Sequence, residues 1–135
     1  MIVLDCSAAV EMARETDKGK GFAGLILQGE KVVASEMFQA EVRNAMWKYV
    51  RAGMMSEEEA RDTVEDAVAL VNEFVPLSEN ANEAFFEAVR QGHSVYDMFY
   101  LTLVRRNDAT LFSADKKLVA LCEEMGLNCV TEEPF

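Results

Sequence analysis

Residues 2–15 read IVLDCSAAVEMARE, and this stretch indicates the class of fold. It opens with an unbroken apolar run, which is typical of a short strand that is buried on both faces. Asp5 ends the strand predicted over residues 2–5, and Ser7 is expected to cap a helix over residues 8–15. A buried strand that passes directly into a helix is the repeating unit of an α/β fold.

The same alternation continues along the chain. Further strands are predicted at residues 31–35, 74–77, 110–114 and 128–131. The run at 74–77, FVPL, is expected at an edge because Pro76 cannot donate a ladder hydrogen bond. Strands that alternate with helices predict a single α/β domain over residues 1–135 with a mainly parallel sheet. Helices are predicted over residues 8–15, 21–28, 36–52, 56–73, 79–91, 116–126 and from Ser94 onward.

Composition limits the possible classes of protein. The chain has 135 residues, a formal net charge of −11 and 50% hydrophobic residues, which suits one globular domain. No apolar run approaches the about 18 residues of a membrane span, and the N-terminus lacks the basic and apolar regions of a signal peptide. The three cysteines form no CxxC pair and predict reduced thiols in a cytoplasmic protein. The negative charge argues against a nucleic acid partner, although much of it falls on the helix that begins at Ser56.

The sequence HSVYDMFYLTLVRR at residues 93–106 predicts a helix that is apolar nearly all the way round and therefore buried. Asp97 lies within it, and a buried carboxylate is costly unless something compensates its charge. Ser94 and Asp97 have the spacing of a capping box, which would give Asp97 a structural role. Alternatively, Asp97 shares a metal ion with other carboxylates. The helix alone leaves both interpretations open.

Three further acids are candidates for the same site. Asp5 and Asp115 lie at the carboxyl ends of predicted strands, where ligands bind in parallel sheets. Asp5 could instead support the turn into the first helix, and Asp115 could cap the helix that follows it. Glu41 borders the apolar stripe of its helix, where a solvated surface position is an equal alternative. Glu36 competes with Glu41 because it is nearer the end of a strand.

Carboxylates that converge repel one another, and a hard divalent cation with oxygen ligands removes that repulsion. Mg²⁺ or Mn²⁺ fits better than Zn²⁺ because neither His nor Cys accompanies the acids. Such a site activates a water molecule and neutralises charge on a phosphate during in-line attack. Cations that follow three of the acids would suit a phosphate-binding rim or, alternatively, a solvated surface: Arg43, Lys48, Arg51, Arg105, Arg106, Lys116 and Lys117.

Four segments occur in a familiar order and cover nearly the whole chain: VLDCSAAV, SEMFQAEVRNAMWKYV, SVYDMFYLTLVRR and LFSADKKLVALCEEMGLNCV. On these segments the chain resembles the PIN-domain family, especially the small ribonuclease toxins of VapBC-type toxin–antitoxin pairs. The resemblance implies a three-layer α/β/α sandwich with a mainly parallel central sheet. It also implies Mg²⁺ or Mn²⁺ as cofactor, RNA as substrate, a homodimer and a cognate antitoxin protein.

The resemblance further implies a set of site residues. Asp5, Glu41, Asp97 and Asp115 match the acids that bind metal and carry catalysis in the family. Glu41 is chosen over Glu36 because Asn44 follows it by three residues. The family's polar positions beside the acids or the substrate are matched by Ser7, Asn44 and Ser113.

The leading hypothesis is therefore a metal-dependent endoribonuclease. The charge of −11 motivates a second hypothesis, a binding or scaffold module with little or no catalysis. A third is a metal-dependent phosphohydrolase of small phosphate esters, although Asp-Cys-Ser at residues 5–7 lacks the second acid of a D-x-D phosphotransferase site.

Overall fold

In the computed structural model, residues 1–130 are described, and they form five strands and seven helices. The strands are β1 (Ile2–Leu4), β2 (Val32–Ser35), β3 (Glu73–Val75), β4 (Thr110–Phe112) and β5 (Asn128–Cys129). The helices are α1 (Cys6–Ala13), α2 (Asp17–Leu25), α3 (Phe38–Arg51), α4 (Glu57–Ala69), α5 (Leu77–Gln91), α6 (Val95–Asn107) and α7 (Lys116–Glu124). Thr131, the last residue of the strand predicted over 128–131, lies outside the described residues.

The strands form one sheet in the order β3-β2-β1-β4-β5, and every pairing is parallel. The predicted α/β fold with a mainly parallel sheet is confirmed. The predicted edge position of the third strand is also confirmed, and Pro76 lies just beyond it, at the start of α5. Because the strands are parallel, their carboxyl ends share one edge of the sheet, where Asp5 and Asp115 follow β1 and β4.

Two apolar cores lie on opposite faces of the sheet. Alternate residues of β1 point to different faces, so Ile2 and Leu4 pack with α1 to α4, whereas Val3 packs with α5, α6 and α7. This arrangement confirms the three-layer sandwich. Helix α6 is buried along most of its length, with Met98, Leu101 and Leu103 nearly inaccessible to solvent.

The start of α1 differs from the prediction. Asp5, rather than Ser7, is the N-cap of this helix, and its carboxylate accepts a hydrogen bond from the backbone N–H of Ala8. Ser7 lies inside the first turn, where its hydroxyl is free to bond elsewhere. The prediction failed because Asp and Ser are both strong N-caps, and the strand ends one residue earlier than expected.

Helix α2 was predicted over residues 21–28 but spans Asp17–Leu25. Thr16 caps it by accepting a hydrogen bond from the N–H of Gly19. A Cβ atom at Gly19 would lie 2.0 Å from the carbonyl oxygen of Glu11, so glycine permits the close contact between α1 and α2. Gly19 is therefore a packing residue within the helix.

Helices α4 and α5 also have different boundaries. Helix α4 ends at Ala69 and not at residue 73, because the chain from Glu73 pairs with β2 as strand β3. Helix α5 begins at Leu77 and is interrupted at Asn80, which has non-helical φ and ψ angles of −128° and 16°. Within residues 1–130, none of the helices has the length and apolarity required to cross a membrane.

Candidate active site

A cavity of about 500 Å³ opens beyond the carboxyl ends of β1 and β4. The four acids Asp5, Glu41, Asp97 and Asp115 all line it, although they lie far apart in the sequence. Glu36, which competed with Glu41, is exposed and is not among the lining residues. Of the three predicted polar neighbours, Ser7 and Asn44 line the cavity, and Ser113 is buried behind Asp5.

Asp5 is the most enclosed of the four acids. Its Oδ1 accepts hydrogen bonds from the Ser7 hydroxyl at 2.7 Å and the Ala8 N–H at 3.0 Å, and its Oδ2 accepts one from the Ser113 hydroxyl at 2.5 Å. Burial raises its pKa to about 6, although these three hydrogen bonds favour the charged form. The negative charge of Glu41 raises this pKa further.

Ser7 and Ser113 join the two turns that carry Asp5 and Asp115. The backbone N–H of Ala114 donates to the Ser7 hydroxyl at 2.9 Å, and the N–H of Asp115 donates to the Ser113 hydroxyl at 3.0 Å. The two serine oxygens lie 3.3 Å apart. Both serines therefore fix the Asp5 carboxylate and the turn that positions Asp115 at the same time.

Glu41 enters the cavity from α3 and meets a residue that sequence reasoning missed. The hydroxyl of Tyr100, a buried residue of α6, donates a hydrogen bond to Oε1 of Glu41. Burial raises the pKa of Glu41, the Asp97 charge adds to that rise, and the bond from Tyr100 opposes it. In the sequence, Tyr100 is one more apolar residue of a helix that is apolar on every side. Its hydroxyl, which needs a hydrogen-bond partner when buried, was the signal that could have identified it.

Asp97 is the third residue of α6. Ser94 caps this helix by accepting a hydrogen bond from the N–H of Tyr96, and, within the described chain, Asp97 does not bond back to the N–H of Ser94. Because Ser94 bonds to the N–H of Tyr96 and not to that of Asp97, neither bond of a capping box is present in the described chain, and Ser94 caps the helix without Asp97. Burial raises the pKa of Asp97, and the negative charge of Asp115 raises it further, with His93 acting in the opposite direction.

Asp115 is both a helix cap and a residue of the cavity, two positions that the sequence left as alternatives. It is the N-cap of α7, where Oδ1 accepts hydrogen bonds from the N–H groups of Lys117 at 3.0 Å and Leu118 at 3.4 Å. It also lines the cavity beside Asp97. A cap of this kind uses one carboxylate oxygen and leaves the other available to a ligand.

Cys6 also lines the cavity, directly after Asp5. Burial raises the pKa of its thiol to about 12, and the charges of Glu41 and Asp5 add to the effect. The thiolate form is therefore scarce at neutral pH in the metal-free protein, and Cys6 is unsuited to act as a nucleophile.

The donor atoms of the cavity suit a hard cation. Carboxylate and hydroxyl oxygens line the cavity. The negative charges of Asp5 and Glu41, of Glu41 and Asp97, and of Asp97 and Asp115 repel each other. Among residues 1–130, no group of three His, Cys, Asp or Glu side chains is placed to hold a metal ion together. That part of the chain thus has no metal site in which three or more such side chains all bind the ion directly. The arrangement fits Mg²⁺, which commonly binds one or two carboxylates and keeps several water ligands.

The predicted phosphate-binding rim is mostly absent from the cavity. Of the seven cations proposed for it, Lys48 alone is among the lining residues in the described structure. Arg105 pairs instead with Glu87 at 2.6 Å and with Glu83 at 2.7 Å, between α6 and α5. Arg106 donates to the carbonyl of Glu79 at 3.1 Å. Because α6 is apolar on all sides, its sequence does not show which side faces the cavity. The positions of Arg105 and Arg106 relative to the cavity therefore could not be predicted.

Comparison with known proteins gives the family. The PIN domain matches residues 2–131. Ribonuclease VapC12 of Mycobacterium tuberculosis is 33% identical over 118 residues, which cover 87% of this chain and 89% of that protein. Ribonuclease VapC3 of Pyrobaculum aerophilum is 25% identical over 119 residues, covering 87% of this chain and 91% of its own.

A solved structure has the same fold over almost the whole chain. The structure of VapBC-1 from nontypeable Haemophilus influenzae aligns with a TM-score of 0.64 at 17% identity, covering 96% of this chain and 97% of that one. Together with the sequence match over residues 2–131, this agreement leaves no part of the sandwich unaccounted for. The chain therefore belongs to the PIN-domain family and resembles its VapC ribonucleases.

Proposed function

We propose that the chain is a Mg²⁺- or Mn²⁺-dependent endoribonuclease of the VapC type. The observation that carries the proposal is the cavity in which Asp5, Glu41, Asp97 and Asp115 meet beyond the carboxyl ends of two parallel strands. Relatives that align over most of the chain are named ribonucleases, which supports RNA as the substrate. Four carboxylates without histidine favour a hard cation over zinc.

Each site residue has a role in this proposal. Asp5, Asp97 and Asp115 would hold a divalent cation, in part through the water molecules that it keeps as ligands, and Glu41 would hold a second cation or orient the attacking water. When bound, the cation supplies charge neutralisation at the phosphate and lowers the pKa of water. Ser7 and Ser113 fix the two oxygens of Asp5, and Tyr100 fixes Glu41.

The test is cleavage of a single-stranded RNA by the purified chain during titration with Mg²⁺ and Mn²⁺. Asp97→Asn should lower the rate by about a hundredfold or more, because it removes a charged ligand without changing the shape of the side chain. Glu36→Gln is the matched control, since Glu36 is exposed and lies outside the cavity. Equal rates for Asp97→Asn and the wild type would show this mechanism to be wrong.

The net charge of −11 favours a second candidate function, a binding or scaffold module of the same fold. RNA cleavage that depends on both metal and Asp97 would reject it. The same assay, repeated with small phosphate esters, separates a phosphohydrolase from a ribonuclease. Turnover of the esters without cleavage of RNA would identify the phosphohydrolase.

We also propose that the chain is the toxin of a toxin–antitoxin pair, acts in the cytoplasm and forms a homodimer. The names of the relatives and of the VapBC-1 structure support the pairing. Three free cysteines are compatible with a reducing compartment. A small DNA-binding protein encoded beside this chain, and its co-purification with the chain, would test the pairing; light scattering would test the dimer.

A further inference from the structure

The outer face of α3 differs in charge from the rest of the molecule. The chain contains 24 acidic and 13 basic residues, yet the α3 sequence FQAEVRNAMWKYVR contains one acid among its cations. That acid, Glu41, is turned into the cavity and bonded to Tyr100. The exposed side of α3 is therefore basic, with Arg43, Lys48 and Arg51 upon it.

Trp47 lies on the same exposed side. Its side chain is 53% accessible to solvent, although tryptophan is usually well buried. The guanidinium carbon of Arg51 lies 5.2 Å from the centre of the Trp47 ring, within the range of a cation–π contact. One turn of helix thus presents a flat aromatic surface beside a positive charge.

This exposed face is continuous with the cavity. Asn44 and Lys48 line the cavity, and about one helical turn separates Asn44 from Trp47 and Lys48 from Arg51. A polymer that leaves the cavity along α3 would meet the Lys48 ammonium group first and the Trp47 ring next. Single-strand-binding proteins use this combination, in which cations contact phosphates and aromatic rings stack on bases.

We infer that the outer face of α3 binds the single-stranded flank of the RNA substrate, with one unpaired base stacked on Trp47 and phosphates on Lys48 and Arg51. This inference rests on the proposed ribonuclease function, which it deepens by specifying an unpaired base next to the cleaved bond. Stacking requires an exposed base face, which a paired strand does not offer. Exposed cations beside an exposed aromatic ring suit phosphates and an unpaired base, and this combination favours single-stranded RNA over a protein partner.

Trp47 is the single tryptophan of the chain, so its fluorescence reports on this surface alone. The experiment titrates Asp97→Asn protein, which leaves the RNA uncut, with an oligouridylate of about ten nucleotides, a length within the known site sizes for single strands. The fluorescence should be quenched. A duplex of the same length and charge should quench it much less.

Two variants separate stacking from charge. Trp47→Leu has no tryptophan, so its binding, like that of the other variants, is followed by the anisotropy of a fluorophore-labelled oligouridylate. Trp47→Leu should weaken binding about tenfold and leave its salt dependence unchanged. Arg51→Ala should reduce the slope of log affinity against log salt by about 0.7, the value for one phosphate contact on a single strand. Phe86→Leu is the matched control, because Phe86 is a 64% exposed aromatic residue on α5, in the other helix layer.

The inference and the proposed function fail in different ways. Unchanged affinity in Trp47→Leu, or equal quenching by duplex and single strand, would overturn the inference even if the wild type cleaves RNA. Quenching by the single strand alone, with weakened binding in Trp47→Leu, supports the inference. That support would stand even if the wild type cleaved no RNA, in which case only the proposed catalysis would fail.

Discussion

The hydroxyl of Tyr100 donates a hydrogen bond to the carboxylate of Glu41, and this bond joins the two helix layers above the end of the sheet. Tyr100 belongs to the buried helix α6, which also carries Asp97, and Glu41 belongs to α3. The bond opposes the rise in the Glu41 pKa that burial causes. It therefore favours the charged form of this carboxylate and holds it at the cavity.

Tyr100→Phe removes that bond and keeps the ring that fills the core. The pKa of Glu41 should rise further, and the rate of RNA cleavage should fall about tenfold, the value of one hydrogen bond to a charged group. Cleavage rates across a pH series and a Mn²⁺ binding titration measure the two effects. Tyr96→Phe on the same helix is the control, because Tyr96 is 65% exposed. Identical pH profiles for Tyr100→Phe and the wild type would refute this role.

Asp97→Asn should separate stability from activity. In metal-free protein, the mutation removes a partly buried charge that Asp115 repels, so the melting temperature should rise by about 2 °C while cleavage is lost. Mg²⁺ should raise the melting temperature of the wild type and have little effect on the variant. Thermal melts in EDTA and in Mg²⁺ provide the measurement. A variant that Mg²⁺ stabilises as much as the wild type would exclude Asp97 as a ligand.

The stability of the metal-free protein should depend on pH through Asp5. Its pKa is raised in the folded state from 3.8 to about 6, so folding favours the protonated form. This contribution to stability is complete below 3.8 and is lost as the pH rises through about 6. Between about pH 4 and pH 7, the free energy of unfolding should therefore fall, by up to about 3 kcal/mol from Asp5. The raised pKa values of Glu41 and Asp97 act in the same direction.

Urea denaturation in EDTA across this pH range measures the effect. Asp5→Asn should remove most of the slope, because asparagine can still accept the Ala8 hydrogen bond but has no charge to lose. Mg²⁺ should stabilise the wild type more at pH 7 than at pH 5, since a cation prefers the ionised carboxylate. The prediction fails if wild type and Asp5→Asn lose the same amount of stability between the two pH values.

The sequence was sufficient to predict the features of the fold that depend on the course of the backbone alone. Unbroken apolar runs located the buried strands, and the parallel topology then placed Asp5 and Asp115 at one edge of the sheet. Glu41 needed the family resemblance, because its helical position alone was equally compatible with a solvated ridge. The convergence of Asp5 and Asp115 followed from topology and did not require side-chain detail.

The features that were missed depend on the direction of individual side chains. Helix α6 is apolar on every side, so no periodicity showed that Tyr100 faces Glu41 or that Arg105 faces Glu87. The second helix was predicted to begin at residue 21, whereas it begins at Asp17, and Gly19 within it allows the backbones of two helices to touch. Such contacts are decided by tertiary packing, which local patterns do not encode.

Asn80 provides a further test of how α6 is held. This residue is 3% exposed, and its Nδ2 donates hydrogen bonds to the Phe99 carbonyl at 3.0 Å and to the Thr102 hydroxyl at 2.8 Å. Thr102 in turn donates to the Met98 carbonyl, next to Asp97. Asn80→Ala should lower the free energy of unfolding by about 2 kcal/mol, because a buried acceptor and hydroxyl lose their donor.

Asn82→Ala, an exposed change on the same helix, is the matched control and should have little effect. The double mutant with Thr102→Val should lose less stability than the sum of the two single mutants, because both changes break the same bond. Additive losses would show that Asn80 and Thr102 act independently. Since this network fixes the turn of α6 that carries Asp97, Asn80→Ala should also weaken Mn²⁺ binding at temperatures where the protein remains folded.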